Sequence, residues 1–244
     1  MGEFNLKIAG QVGRIRTAFE STQSYCQAYL TEENPDFFAE ITEADRQFEQ
    51  EASWEEARIE GIRPRTYTGP HLERTAIQRK FAEHLLKCGT LMVHGSTVAL
   101  DGKAYLFTAK CGTGKSTHTR LWCQVFGDRA VMVNDDKPFL TVTEDGVFAS
   151  GSPWCGKHGL GSNITVPLQG ICILDRGPEN QIRPIMPEEA RDMLLWQSYA
   201  PVDPALEEMR NQLVEALLHR VPLWHMACTK DPAAAQMSHR FMSE

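Results

Sequence analysis

Ala104-Tyr105-Leu106-Phe107-Thr108-Ala109-Lys110-Cys111-Gly112-Thr113-Gly114-Lys115-Ser116-Thr117 is the stretch whose reading decides the fold. Its first five residues form an apolar run with strand character. A glycine-rich turn follows, and Leu121, Val125 and Phe126 set a helical spacing behind it. Strand, glycine loop and helix around Gly-x-Gly-Lys-Ser is the order of a P-loop. Each residue type has a physical reason. Gly112 and Gly114 let the backbone turn its N–H groups onto phosphate oxygens. A helix opening near Lys115 aims its positive dipole end at the same anion. Lys115 reaches the β- and γ-phosphates as a point charge, and the Ser116 hydroxyl suits Mg²⁺. The expected nucleotide site is therefore Cys111, Gly112, Thr113, Gly114, Lys115, Ser116 and Thr117, with ATP and Mg²⁺ as its ligands. Ala109 stands where the full motif has its first glycine.

Working outward, the apolar run Ala130-Val131-Met132-Val133 ends in Asn134-Asp135-Asp136, with Asp135 twenty residues beyond Lys115. An acid at the end of a strand beside the loop is where a Mg²⁺-holding carboxylate is needed. Two adjacent acids allow one to serve the metal and the other to accept a proton. Their mutual repulsion raises one carboxyl pKa toward that of a useful base. His94, in Val93-His94-Gly95-Ser96-Thr97, precedes the loop strand and is a residue type suited to proton transfer. Cys111 lies in the anion-binding loop near Lys115, surroundings that lower a thiol pKa; as a small replacement for serine it needs no redox role.

The flanks predict a mixed α/β sheet. Short strands are expected at Leu91–Val93, Thr97–Leu100 and Pro167–Leu174, with a hairpin at Phe139–Val142 and Val147–Ala149 around Glu144-Asp145-Gly146. Residues 151–163 read as a glycine-rich irregular loop. Helices are expected from Pro187 to about Tyr199 and over 204–219, a strand over Leu223–Cys228, and a final helix capped by Asp231-Pro232. Before the core, Leu6–Ala9, Val12–Ile15 and Phe37–Ile41 have strand character. Residues 43–60 read as an exposed charged helix, Pro64 to Pro70 as a linker and 71–87 as a helix. Two domains are expected: an α+β lobe over residues 1–88, for substrate recognition or oligomer contact, and a nucleotide-binding core over 89–244.

The 244 residues are 42% hydrophobic and 23% charged, with a net charge of −7. An acidic balance argues against nucleic-acid or anionic-membrane partners, and no apolar run is long enough to span a bilayer. The N-terminal residues lack a signal-peptide core. The seven cysteines are odd in number and scattered, with no Cys-x-x-Cys pair. They suit reduced thiols in a cytoplasmic protein. Cys155 and His158 are spaced as a metal pair, but no second pair accompanies them.

The combination of His94-Gly95, a short hairpin, the Cys111-Gly112-Thr113-Gly114-Lys115-Ser116 loop and the strand ending in Asp135-Asp136 resembles the HPr kinase/phosphorylase family. The loop is also similar to that of phosphoenolpyruvate carboxykinase, whose nucleotide-binding fold that family shares. The resemblance spans about residues 91–175. It implies a mixed-sheet P-loop core of this type, with His94 and Asp135 as the acid–base pair and Asp136 near Mg²⁺. It also implies transfer of the ATP γ-phosphoryl group to a hydroxyl, on a small molecule or on a serine of a peptide or protein. Two departures mark a divergent branch. Cys111 replaces the family's serine, and Gly156-Lys157-His158-Gly159-Leu160-Gly161 stands where Glu-Ile-Arg-Gly-Leu-Gly is expected. Phosphorolysis and the HPr substrate are therefore not carried over. Trp154, Lys157 and His158, on the segment Gly151–Gly161, are the expected substrate loop. A regulatory or assembly module that binds nucleotide is the alternative, and a homo-oligomer is compatible with either. A carboxykinase acting on a dicarboxylic acid would need arginine and metal-ligand clusters that are hard to find in this sequence.

Overall fold

The computed structural model describes residues 2–243 and divides into two compact units, Met1–His84 and Leu85–Glu244. In the first unit, β1 (Gly2–Ile8) and β2 (Gln11–Thr17) form an antiparallel hairpin, and β3 (Phe37–Glu40) joins β2 in parallel. The hairpin turn is Ala9-Gly10, both at positive φ. Alternate residues Phe4, Leu6 and Ile8 are buried, the period-two signature of a sheet with one covered face. Three helices complete this unit: α1 (Glu20–Tyr25), α2 (Glu43–Glu60) and α3 (Gly69–Leu86), the last running two residues past the unit boundary. Phe81 of α3 packs edge-on against Phe37 at 5.0 Å. Thr42 caps α2 through a reciprocal pair of bonds with Asp45, and Gly61, at φ 68°, ends it.

The second unit is built on a nine-stranded mixed sheet. Its strands are β4 (Thr90–Met92), β5 (Ser96–Leu100), β6 (Lys103–Thr108), β7 (Ala130–Asn134), β8 (Phe139–Thr143), β9 (Gly146–Ser150), β10 (Thr165–Arg176), β11 (Gln181–Pro184) and β12 (Leu223–Cys228). They lie in the order β4-β8-β9-β10-β6-β5-β7, with β12 pairing both β10 and β11. The long β10 pairs antiparallel with β9 at its start and in parallel with β6 and β12 beyond. The helices are α4 (Lys115–Phe126), α5 (Pro187–Gln197), α6 (Pro204–Arg220) and α7 (Pro232–Met242). No described helix is long and apolar enough to cross a membrane.

Both faces of the central strands are covered, as their near-continuous apolar runs require. Along β6, Ala104 and Leu106 enter one cluster with Leu194 of α5 and Leu217 of α6. Tyr105 and Phe107 enter the other with Trp122 of α4 and Ala235 of α7. In β10, Ile171 and Ile173 divide from Cys172 and Leu174 in the same way. At about 25 cal/mol per Å² of apolar surface, fully buried side chains of this size each contribute roughly 1.5–3 kcal/mol.

Two elements have no counterpart in the sequence reading, α1 and β11. The former is only six residues long, and its first turn is held by a distant carboxylate: Glu73 accepts from Ala18 N, Phe19 N and Thr22 Oγ1. The latter is a four-residue edge strand whose register comes from β12.

Candidate functional site

The loop of residues 109–114 leaves the buried end of β6 and enters α4 at Gly114. Gly112 and Gly114 sit at φ 75° and 125°, and among the described residues, chain neighbours aside, no atom lies within 4 Å of where a Cβ would stand. Backbone conformation, not crowding, is what demands glycine there. Among the described residues no side chain caps the start of α4, so its first N–H groups keep their hydrogen-bonding capacity for a ligand. A residue absent from the sequence reading supports the loop from outside. Arg176, at the end of β10, donates from Nε to the Thr113 carbonyl at 3.2 Å and from Nη2 to the Gly112 carbonyl. Cys111 is exposed on this loop.

Lys115 is only 8% exposed and donates from Nζ to the Ala109 carbonyl at 3.1 Å. Burial pulls its pKa below the usual range, opposed by negative charge at Cys111, Asp136 and Asp135. Thr119, one turn further along α4, meets Ser96 Oγ at 2.7 Å, and Ser96 in turn donates to Asp135 Oδ1 at 2.8 Å. The helix behind the loop is thus connected to the acids by a short hydroxyl chain. The other carboxylate oxygen, Asp135 Oδ2, is buried with no hydrogen-bond partner among the described residues. An orphaned buried carboxylate oxygen is costly unless a cation or donor answers it.

Strand register decides which acid meets the histidine. Thr97 pairs with Asn134, so Ser96 falls opposite Asp135. Gly95 then donates its N–H to the Asp136 carbonyl at 3.1 Å. Asn134 Oδ1 accepts from the N–H groups of Asp136 and Lys137, at 2.8 and 2.6 Å, which turns the chain sharply. As a result His94 Nε2 lies 3.3 Å from Asp136 Oδ1, not against Asp135 as the sequence reading has it. Burial, with help from Lys137 and Lys115, pulls the His94 pKa down to about 3 against a hydrogen bond with Gln197. The contact is therefore between a neutral imidazole and a carboxylate. Burial raises the Asp136 pKa, while Lys137 and Lys115 oppose it and Asp135 adds to it.

The glycine-rich segment is stitched to these acids. Asp135 donates its N–H to the Leu160 carbonyl at 3.0 Å, and Asn134 Nδ2 reaches Ser152 at 3.0 Å. Gly156 passes so close that a Cβ there would lie 3.5 Å from the Asp136 Cβ. Lys157 and His158 are exposed on this segment, whereas Trp154 is buried beside Phe139. Among the described residues no three His, Cys, Asp or Glu side chains form a metal-holding group, Cys155 and His158 included. A Mg²⁺ ion needs no such cage: it binds through one or two carboxylates and substrate phosphates. Ser116, with the unpartnered oxygen of Asp135, fits that pattern.

Among solved structures, the HPr(Ser) kinase/phosphatase from Coxiella burnetii aligns with this chain at 12% identity and a TM-score of 0.35. The alignment covers 62% of this chain and 97% of that one. No protein-family model and no curated protein matches the chain. The functional reading therefore stands on the site's own residues.

Proposed function

We propose that this chain is an ATP-dependent phosphotransferase that moves the γ-phosphoryl group to a hydroxyl, on a small molecule or on a peptide or protein serine. The observation that carries the reading is the gathering of Lys115, Asp135, Asp136 and His94 around one anion-binding loop. A site built only to bind nucleotide has no need of a carboxylate partnered by a neutral imidazole. The loop N–H groups and Lys115 bind and orient the phosphates. As the acceptor oxygen bonds to the γ-phosphorus, the bond to the β–γ bridging oxygen breaks and ADP leaves with that electron pair. The acceptor's proton passes to the Asp136 carboxylate, whose affinity for it burial has raised. His94 positions that carboxylate. Mg²⁺, when bound, neutralises charge developing on the phosphate oxygens; Ser116 and Asp135 would hold it.

This division of labour exchanges the roles expected from the sequence. Packing supports the exchange, because the histidine sits on Asp136 and the unanswered oxygen belongs to Asp135. Recognition of the acceptor is assigned to the loop bearing Lys157 and His158, with residues 1–88 as a recognition or oligomer-contact lobe. Calorimetry of Lys115→Ala with Mg²⁺·ATP tests the reading, with loss of binding expected in a protein that melts as wild type. A folded Lys115→Ala protein with undiminished affinity would overturn it. ADP release with candidate alcohols and peptides reads the transfer. Wild-type protein that binds ATP but transfers phosphate to nothing across a broad screen would be a regulatory or assembly module instead.

A further inference from the structure

The first unit holds a cavity of its own, about 510 Å³, that the phosphate chemistry leaves without a role. One wall is a single face of α2, along which Glu43, Arg46, Gln47, Gln50, Glu51 and Trp54 follow at helical spacing. The other is the segment leading into α3, with Tyr67 and Gly69, beside Phe19. The two are tied together. Gln50 donates from Nε2 to the Arg65 carbonyl at 2.9 Å and accepts from the Tyr67 N–H at 2.8 Å. Trp54 Nε1 donates to the same Arg65 carbonyl at 2.9 Å. Gly69 packs so closely on Phe19 that a Cβ there would come within 2.6 Å of the ring. These bonds and contacts set the walls, so the cavity is not a gap left by loose packing.

The lining selects for positive charge. Among the described residues Arg46 is the only basic side chain in it, and that guanidinium is already engaged. Glu43 Oε2 takes its Nε at 3.2 Å and its Nη2 at 2.5 Å, Glu73 Oε2 lies 3.6 Å from Nη1, and the Phe19 ring centroid is 5.5 Å away. Glu51 has no such answer. It is exposed, it accepts the Gln47 amide at 2.8 Å, and no ion pair reaches it among the described residues. One turn on, Trp54 is 43% exposed although its N–H is bonded, so what it offers a ligand is the ring. A carboxylate one helical turn from an open indole engages a Lys or Arg side chain by charge and by cation–π attraction. The surrounding field agrees: Glu43–Glu60 carries seven acids against two arginines, and it stays acidic after Arg79 and Lys80 have answered Asp45 and Glu49.

We propose that this cavity docks a Lys or Arg side chain of a basic peptide segment, its charged head against Glu51 and over the Trp54 ring. Charge complementarity names the side chain, and length favours a peptide over a small free cation. From Glu43 to Trp54 the lining face advances eleven residues. That is about 16 Å at 1.5 Å per residue, the span of roughly five residues of extended chain. The inference stands apart from the phosphotransfer reading, since every group it uses belongs to the first unit.

The test titrates the full chain with a capped glycine nonapeptide carrying two arginines four positions apart, and with its citrulline twin, which has nearly the same shape and no charge. Wild-type protein should bind the arginine peptide at least about fivefold more tightly than the citrulline peptide. Trp54→Ala should weaken the arginine peptide by about two- to fivefold, the range for one exposed cation–π contact. Trp54→Phe keeps a ring and loses the indole N–H, so it should restore most of that affinity; it also keeps the test intact if Trp54→Ala loosens the segment before α3. Glu51→Gln should cost about threefold and make binding less sensitive to salt. Equal affinity for the two peptides would overturn the proposal. So would arginine-peptide binding untouched by Trp54→Ala, which is attraction to an acidic surface alone. Equal losses in Trp54→Ala and Trp54→Phe would reduce the indole to a structural tie and overturn it as well. Arginine amide binding as tightly as the peptide would make the cavity a small-cation pocket instead.

Discussion

Two groups of buried titratable side chains differ in how completely their partners answer them. In the first unit, Arg79 reaches Asp45 at 2.9 Å and Glu49 at 2.6 Å, and Lys80 also meets Asp45 at 2.9 Å. Burial pushes the Asp45 carboxyl upward, but bonds from Thr42, Lys80 and Arg79 hold it well below the usual range. Each charge there has found its complement, the ordinary way for charge to survive burial. Around the loop of the second unit, Asp135 keeps an unpartnered oxygen, His118 keeps a bare nitrogen, and Lys115 has a backbone carbonyl as its hydrogen-bond partner. Mutual satisfaction marks groups whose work is to hold the fold. Under the proposed function, the residual valence around the loop is capacity left for something that is not part of the chain.

The largest test of that contrast is on transfer. Asp136→Asn should lower phosphoryl transfer by at least about 10²-fold, the scale for removing a general base, while ATP still binds. Asp135→Asn should instead shift the Mg²⁺ concentration needed for activity upward, because it removes charge from the cation's side. Full ADP production by the Asp136→Asn protein would return the base role to Asp135. Next comes stability. Arg79→Ala leaves Glu49 without its cation and takes one of two cations from Asp45, and should cost about 3 kcal/mol in urea denaturation. Asp135→Asn should leave stability unchanged or raise it, since strain at a functional site is relieved. If both substitutions cost the same, the distinction between answered and waiting charge fails.

A smaller effect is expected from pH. The His118 pKa is about 4 in the fold against roughly 6.5 unfolded. Between those values the unfolded chain binds the extra proton, so stability rises with pH across the window and levels off above about 7. Its share should be on the order of 2 kcal/mol between pH 4.5 and 7, and His118→Leu should flatten the curve by that amount. An unaltered slope would remove His118 from the account. The depressed Asp45 acts at more acid pH, its contribution being lost as pH falls below about 3.9. The smallest effect belongs to Cys111→Ser, which should change ATP affinity by no more than about twofold, as a thiol and a hydroxyl of similar size exchange on an exposed loop. A large loss on mild oxidation of wild type, absent in Cys111→Ser, would instead give the thiol a switching role.

The order of elements from β6 to the end of β7 was legible in the sequence because its signals are local. Apolar runs, two glycines and a Lys-Ser pair lie within a few residues of one another. What escaped depends on distant partners. The short α1 depends on Glu73, 51 residues beyond Thr22. Arg176 lies 64 residues from the carbonyl of Gly112, and Ser238 lies 120 from His118. The pairing of His94 with one acid rather than its neighbour turned on a one-residue question of register, which spacing alone does not resolve. Trp154 belonged to a glycine-rich run, yet its burial followed from Phe139 across the fold.

The grip of Arg176 on the loop has a kinetic meaning. In a trans peptide the N–H lies anti to the carbonyl before it, so engaging the Thr113 carbonyl from outside turns the Gly114 N–H away from the guanidinium. Ordering a backbone residue costs roughly 1–2 kcal/mol, and glycine gives up the most freedom. If the loop binds phosphate as proposed, that cost is met during folding rather than at each arrival of the anion. Capture of the proposed ligand would then proceed at the pace of encounter, without a wait for the loop to close, and dwell time would be left to the contacts made afterwards.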